Sequence, residues 1–139
     1  MADTNPAVIP MLSDEDGVKA LEWLCKVFGF AERERWLDEQ GRLTHGEITL
    51  GSGVIMLASP NPDYQSPKHH RESCALAAKW NNSIYIIDGT LVYVDDVHAH
   101  FKTATAHGAT ILSSIETDEN GTRYRAEDLE GHRWMFMQR

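Results

Sequence analysis

The stretch GTLVYVDDVHAHFKTATAHGA, residues 89–109, decides the fold class. Its first part, Gly89 to Val94, is rich in β-branched and aromatic residues and predicts a strand. Asp95-Asp96 offer side-chain caps for a helix that follows at once, and Gly108 is a typical stop for that helix. Between them, apolar residues recur at helical spacing, at Val97, Phe101 and Ala104. The stretch therefore predicts a strand that leads directly into an amphipathic helix.

Three further extended segments follow this strand and helix, separated by turn-forming residues: Thr110 to Glu116, Arg123 to Glu127 and Arg133 to Gln138. The first half of the chain repeats the order. Its segments are a buried strand at Ala7 to Leu12, a helix from Asp14 to Phe28 capped by Ser13-Asp14, and strands at Phe30 to Leu37, Leu43 to Leu50 and Val54 to Ala58. We therefore predict an α+β fold of two βαβββ modules, about 7–58 and 89–138, within one domain, 1–139.

The connection between the modules, residues 59–88, is long for a compact chain. It begins with prolines and polar residues, which we interpret as an extended loop on which the neighbouring His69-His70 point apart. The run from Glu72 to Trp80 predicts a short helix. Long connections in compact chains are usually functional or interfacial. We expect a lid or a dimer strap that is anchored by Trp80.

Composition narrows the classes of partner. The chain has 139 residues, 42% of them hydrophobic, and a formal net charge of −8. This acidic balance argues against binding to nucleic acid or anionic lipid, which cationic side chains drive. The chain contains no apolar stretch of membrane-spanning length, and its polar first residues do not read as a signal peptide. We expect a cytoplasmic protein in which Cys25 and Cys74 are free thiols.

Five short motifs occur in order along nearly the whole chain. They are Ser13-Asp14 before the first helix, Phe28-Gly29-Phe30 after it, Val94-Asp95-Asp96-Val97 before the second helix, Gly108-Ala109 after it, and Asp128-Leu129-Glu130-Gly131-His132-Arg133-Trp134 before the last strand. With these motifs the chain resembles the vicinal-oxygen-chelate superfamily of glyoxalase, bleomycin-resistance and extradiol-dioxygenase proteins. The segments Leu43 to Glu47 and Ile55 to Leu57 look closest to its PhnB-like branch. The resemblance implies a cupped mixed sheet that lines a small-molecule cavity, and a homodimer.

The resemblance also implies four metal-ligand positions, one on each of four strands, which the family's enzymes fill with His, Gln or Glu. Motif spacing transfers them to Ala7, Met56, Gly89 and Met135. Alanine and glycine offer no donor, and thioether sulfur suits soft copper(I) better than the hard or borderline ions of these enzymes. We therefore expect no cofactor and no metal at these positions, which favours a binding protein over an enzyme.

Strand alternation indicates which side chains line the cavity, because neighbouring residues of a strand point to opposite faces. Trp134 and Phe136 are large and suit packing under a helix, so the residues between and beside them face the cavity. On this basis we expect an apolar, adaptable wall that includes Met11, Met56, Tyr93 and Met135.

Two pairs of polar residues are candidate anchors. His45 and Glu47 stand two apart on one strand and share a face, so they can act as acid and base or as two ligands of a displaced metal. The alternative is a structural hydrogen bond between them or to a neighbouring strand. Arg123 and Tyr124 flank a turn, where the arginine can grip an anionic group and the tyrosine can stack on the ligand. The alternative is a solvated arginine and a packed tyrosine.

Three functions stay open at this point. The first is metal-free binding of an apolar or aromatic small molecule in a cavity shared by two chains, which explains the missing ligands. The second is a lyase, isomerase or dioxygenase-type enzyme that uses His45 and Glu47, with or without a divalent metal. The third is a ligand-free dimerisation scaffold, which predicts that the cavity is filled by its own side chains.

Overall fold

The computed structural model describes residues 5–85 and 88–138, and the chain divides into two compact units, residues 1–64 and 65–139. The first unit contains β1 (Met11–Ser13), α1 (Gly17–Phe28), β2 (Ala31–Leu37), β3 (Leu43–Leu50) and β4 (Gly53–Ala58). Its strands form one mixed sheet in the order β1-β4-β3-β2, with β1 parallel to β4 and the other pairs antiparallel. This is the predicted βαβββ module.

Helix α1 covers one face of the first sheet. The Asp16 side chain caps it by accepting a hydrogen bond from the Lys19 amide, and Gly29 ends it in the left-handed conformation. The helix lies so close to the sheet that a Cβ on Gly46 would be 2.9 Å from a methyl group of Leu21. Gly46 therefore faces α1. Its neighbour Glu47 points to the opposite face of the sheet, which α1 leaves uncovered.

The second unit contains α2 (Pro67–Ser73), α3 (Ala75–Asn81), β5 (Gly89–Val94), α4 (Val97–Ala106), β6 (Thr110–Asp118), β7 (Gly121–Glu127) and β8 (Arg133–Gln138). Its sheet has the order β5-β8-β7-β6, and the single parallel pair is again the first strand of the module with the last. The α+β fold of two βαβββ modules predicted from the sequence is confirmed. Within the described ranges, no helix has both the length and the apolar character needed to cross a bilayer.

Helix α4 packs on the face of the second sheet that carries Phe136. The ring of His100 lies 4.2 Å from that of Phe136, and Trp134 is almost fully buried on the same face. The Asp96 side chain caps the helix at the Ala99 amide, as predicted. The other face carries Leu91 and Tyr93, which are 44% and 43% exposed. The alternation predicted for the last strand is therefore the one observed.

The first strand differs from its prediction. It has three residues, Met11–Ser13, and is not buried, because Val8 is 82% and Met11 79% exposed. Pro10 has no N–H to donate to a ladder, although its carbonyl accepts a hydrogen bond from the Met56 amide at 3.0 Å. The pairing of β1 with β4 accordingly begins after Pro10. The helix cap also lies further along the chain than predicted, at Asp16.

The connection contains more helix than predicted. Pro67 is the first residue of α2, where a missing N–H costs nothing, and Ser66 caps that helix. His69 and His70 therefore lie on a helix, and their interpretation as loop residues was wrong. The extended backbone of Cys74 separates α2 from α3. Both cysteines are free thiols, and burial raises the pKa of the Cys25 thiol, which fits a packing role for that residue.

Candidate functional sites

The uncovered face of the first sheet brings a row of residues from four strands together. Strand register aligns Met11 with Met56, Met56 with Glu47, and Glu47 with Glu34. One of the two predicted acid–base residues, Glu47, therefore lies beside one of the predicted lining residues, Met56.

Glu47 is the centre of this face. One of its carboxylate oxygens lies 2.6 Å from Nε2 of His45, and the other accepts a hydrogen bond from Nε of Arg33 at 2.7 Å and a second bond from the same guanidinium. The Glu47 side chain is only 9% exposed. The hydrogen bonds from His45 and Arg33 hold the pKa of the Glu47 carboxyl below its ordinary value and outweigh the opposing effect of burial.

A bulge in β2 explains how Arg33 reaches Glu47. The pairing runs from Glu32 opposite Ile48 directly to Glu34 opposite Glu47, so β2 has one more residue than β3 in this interval. Arg33 is that extra residue, and bulges commonly redirect a side chain in this way. The bulge places Arg33 and Glu34 together at the Glu47 carboxylate. Sequence reasoning missed both residues, because no sequence signal marks the bulge.

Glu34 and Trp36 complete the cluster. The Trp36 indole N–H donates to Glu34 at 2.9 Å, and its ring centroid lies 5.1 Å from that of His45. Glu34, His45 and Glu47 each offer a ligand atom within 4.8 Å of those of the other two. One imidazole and two carboxylates suit a borderline divalent ion. However, the Arg33 guanidinium already neutralises one of the carboxylates, which opposes the binding of a cation there.

The open face of the second sheet carries a cavity of about 210 Å³, built entirely from the second unit. Its wall includes Leu91 from β5, Leu112 from β6, Met135 from β8 and the Tyr85 side chain from the segment that follows α3. Met135 was predicted to line such a cavity, and it does so. Tyr93 shares the face but lies outside this lining, while Met11 and Met56 belong to the first unit.

Two arginines lie at this cavity, Arg125 and Arg133. The Arg125 guanidinium stands over the Tyr85 ring at 5.1 Å from its centroid and pairs with Glu116 at 3.1 Å. Arg133 is 5% exposed and holds the end of α3, donating to the Ser83 carbonyl at 2.6 Å and to the Asn81 carbonyl at 2.8 Å.

Arg123 and Tyr124 are not brought together. Arg123 makes two 2.8 Å hydrogen bonds to the Asp118 carboxylate, and this arginine holds the pKa of Asp118 at about 2. Tyr124 points to the opposite face, where it is fully buried and its hydroxyl lies 2.6 Å from Nδ1 of His100. Adjacent strand residues alternate in direction, so the expectation that both serve one ligand does not agree with this placement. Burial raises the Tyr124 pKa.

The four positions where the resemblance implies a metal do not fit one. Ala7 lies in a bend before β1, and Gly89 pairs with Arg133 at the start of β5. Neither carries a donor atom. Met56 and Met135 lie on β4 and β8 and offer only thioether sulfur.

The sequence profile of the glyoxalase/bleomycin resistance protein/dioxygenase superfamily matches residues 9–136. The chain belongs to this superfamily. Among curated proteins, uncharacterised proteins of Mycobacterium bovis and Mycobacterium tuberculosis are 27% identical over 138 residues, which cover 98% of this chain and 85% and 76% of theirs.

Several solved structures share the fold. TioX from Micromonospora sp. ML1 is 29% identical with a TM-score of 0.70 and 96% coverage of each chain. An antibiotic-binding protein from a Streptomyces species is 15% identical with a TM-score of 0.67, covering 96% of this chain and 98% of that one. The bleomycin-binding protein of Streptomyces verticillus is 11% identical with a TM-score of 0.61, covering 100% and 99%.

Proposed function

We propose that this superfamily member is a metal-free binding protein for a small apolar or aromatic molecule. The observation that carries the proposal is the cavity of about 210 Å³ on the second sheet, with Leu91, Leu112, Met135 and Tyr85 in its wall. Ligand sites are typically concave, mostly apolar and supplied with a few polar groups that fix orientation. The cavity also argues against a ligand-free scaffold, which requires that this space be filled.

The ligand positions that the resemblance implies support binding over catalysis, because Ala7 and Gly89 carry no side-chain donor. Two structural neighbours are an antibiotic-binding protein and a bleomycin-binding protein and another is a glyoxalase-related enzyme, and all three resemble this chain in fold alone. We further propose a place in the PhnB-like branch, on the segments Leu43 to Glu47 and Ile55 to Leu57.

Calorimetric titration with neutral bicyclic aromatics tests the proposal. Leu91→Gln places a polar group in the wall at a residue that is already 44% exposed, and we expect it to weaken binding about tenfold. Leu37→Gln is the matched control, because Leu37 is 48% exposed and lies on β2 of the other unit. Equal affinity in both variants, or no binding by the wild type, would contradict the assignment.

A homodimer is part of the proposal. Val8, Met11 and Trp36 are each more than half exposed in the single chain, and exposed apolar groups of this size are a common mark of an association surface. Light scattering coupled to size-exclusion chromatography measures the mass directly. A mass of one chain at micromolar concentration would remove the dimer. A cytoplasmic location is also proposed, in keeping with the free thiols Cys25 and Cys74.

A second function rests on the cluster of Glu34, His45 and Glu47, whose ligand atoms lie within 4.8 Å of one another. It is acid–base catalysis, or a metal-assisted reaction at a site displaced from the usual positions. Its test is the activity of His45→Gln against a panel of small carbonyl and aromatic substrates, with His98→Gln on the exposed side of α4 as control. Turnover that survives His45→Gln would remove this candidate.

A further inference from the structure

The wall of the second unit's cavity is cationic in an otherwise acidic chain. Among the described residues, its lining contains two guanidinium groups, Arg125 and Arg133, and no carboxylate, whereas the whole chain has a formal charge of −8. A concave site with low-dielectric walls concentrates the field of such charges. The cavity therefore favours an anion over a neutral or cationic ligand of the same shape.

The two arginines differ in how far their guanidinium groups are engaged inside the protein. Arg133 uses all three guanidinium nitrogens inside the protein, on Glu127 at 3.3 Å, on the Ser83 carbonyl and on Asn81. Glu127 is shared with Arg71 at 2.6 Å, so this group of two arginines and one carboxylate keeps one excess positive charge. Arg133 is thus mainly a structural residue: each of its guanidinium nitrogens donates inside the protein, and its charge adds to the field of the cavity.

The ion pair of Arg125 is more exposed to solvent than that of Arg133. The described ion pair of Arg125 is to Glu116, whose side chain is 46% exposed, at 3.1 Å. Ion pairs to such exposed carboxylates are weak, because solvent screens them and the side chain must be ordered. A ligand carboxylate in the cavity can replace Glu116 at the Arg125 guanidinium, while Glu116 keeps its second ion pair, to Arg123 at 3.3 Å.

Arg125 also stands against an aromatic ring. Its guanidinium carbon lies 5.1 Å from the centroid of Tyr85, which is 75% exposed. A guanidinium plane and a tyrosine ring at a cavity edge provide flat surfaces for a planar ligand, while Leu91 and Met135 provide apolar contact. The size of the cavity limits the ligand further. An apolar cavity of roughly 150 Å³ accepts benzene, so about 210 Å³ suits one ring or two fused rings.

We propose that this cavity binds a planar aromatic carboxylate of one or two rings, with the carboxylate on Arg125 and the ring against Tyr85, Leu91 and Met135. The inference rests on the proposed binding function and names its ligand class. It requires no change in the positions of Arg133 or α3.

A matched pair of probes tests the charge requirement. 2-Naphthoate and 2-naphthamide have the same rings and nearly the same shape, and only the first is an anion at pH 7.5. We expect wild-type protein to bind naphthoate at least tenfold more tightly at low salt, and the difference to shrink when sodium chloride is raised to 0.5 M. Isothermal titration calorimetry gives both constants.

Variants locate the anion site. We expect Arg125→Gln to weaken naphthoate binding about tenfold and to change naphthamide binding less than twofold. Lys102→Gln, at an exposed position of α4, makes the same change in net charge away from the cavity and is expected to leave both constants unchanged. Arg123→Gln removes the neighbouring arginine of β7, which also pairs with Glu116 at 3.3 Å, and is expected to have a much smaller effect than Arg125→Gln, because Arg123 lies outside the lining.

The outcomes separate the two proposals. Equal affinity for naphthoate and naphthamide overturns the anion inference and leaves the binding function standing. If Arg125→Gln still binds naphthoate more tightly than naphthamide, Arg125 is not the anion site. The same conclusion follows if the preference for naphthoate is lost in Arg123→Gln instead. Binding of neither probe overturns the binding function and the inference with it. The wild-type comparison decides the charge requirement even if a variant fails to fold.

Discussion

Glu47 shows how much depends on one carboxylate. It lies almost buried between a cation, Arg33, and an imidazole, His45, and both of its oxygens are used. Of these residues the sequence predicted His45 and Glu47 as a pair on one face, because two-residue spacing on a strand fixes the face. It did not predict Arg33 or Glu34, because their positions depend on a bulge and on strand register, which the spacing of apolar residues does not reveal.

Replacing the charge of Glu47 tests this arrangement. Glu47→Gln leaves the Arg33 guanidinium without its buried anion, and we expect the free energy of unfolding at pH 7 to fall by about 2 kcal/mol, as for a charged hydrogen bond. Urea denaturation provides the measurement. Glu39→Gln, at an exposed turn residue, is the control and should change the free energy by less than about 0.5 kcal/mol. If Glu47→Gln lowered the free energy of unfolding no more than Glu39→Gln does, the Arg33–Glu47 pair would contribute nothing measurable.

The loss of unfolding free energy in Glu47→Gln should depend on pH in a definite direction. Hydrogen bonds from His45 and Arg33 lower the pKa of Glu47 in the folded protein, so folding favours the ionised form. The contribution is fully present above the unfolded pKa, near 4.5, and is lost as pH falls through the lower folded pKa. We expect the difference in unfolding free energy between wild type and Glu47→Gln to be constant from pH 6 to 7 and smaller at pH 3.5. A difference that grows toward acid would contradict the pairing.

At the scale of elements, most strands and helices of the two modules were predictable because capping residues, glycine stops and alternation mark them locally, although β1 is shorter and more exposed than predicted. Helix α2 was not, since Pro67 reads as a loop residue unless Ser66 is recognised as a cap directly before it. The contact that attaches α3 to the sheet could not be predicted from the sequence either. It depends on Arg133, which lies about fifty residues away in sequence and donates to carbonyls at the end of that helix.

Loss of Arg133 should loosen α3 specifically. In Arg133→Gln the carbonyls of Asn81 and Ser83 lose their charged donor, and Glu127 keeps only Arg71. We expect hydrogen exchange in α3 to become at least tenfold faster, while the amides of β7 change much less. Lys79→Gln, exposed on α3 itself, is the control. Uniform acceleration throughout the unit would indicate general destabilisation instead of release of the helix.

At the scale of the whole molecule, the order of two βαβββ modules was readable from the sequence, and each sheet pairs its first strand with its last in parallel. The residues of the candidate binding site were harder to predict. The candidate binding residues predicted from alternation are divided between two sheets, and Tyr124 belongs to the core under α4. The arginine that the cavity offers is Arg125, and it became visible only when strand register placed it opposite Met135.

Metal removal provides a test at the same scale. Because the family's ligand positions hold Ala7, Met56, Gly89 and Met135, we expect purified protein to contain less than 0.1 equivalent of any transition metal and to melt at the same temperature after treatment with a chelator. Elemental analysis and calorimetry are the measurements. If the wild type contained stoichiometric metal and Glu34→Gln did not, the result would favour the alternative function, a metal-assisted reaction at the first sheet.

The turn before β8 has an evolutionary consequence. A Cβ on Gly131 would lie 2.7 Å from the Lys68 amide nitrogen, and that amide donates to the Glu130 carbonyl at 3.0 Å. The turn is therefore a docking point for the first residues of α2 as well as a link between strands. Homologues that retain α2 should be under selection to keep glycine here, whereas lineages that have lost the helix retain only the requirement for a positive φ of 92°, which asparagine and aspartate tolerate better than other residues. The pattern of substitution at one residue would then record which members of the family still possess the helix.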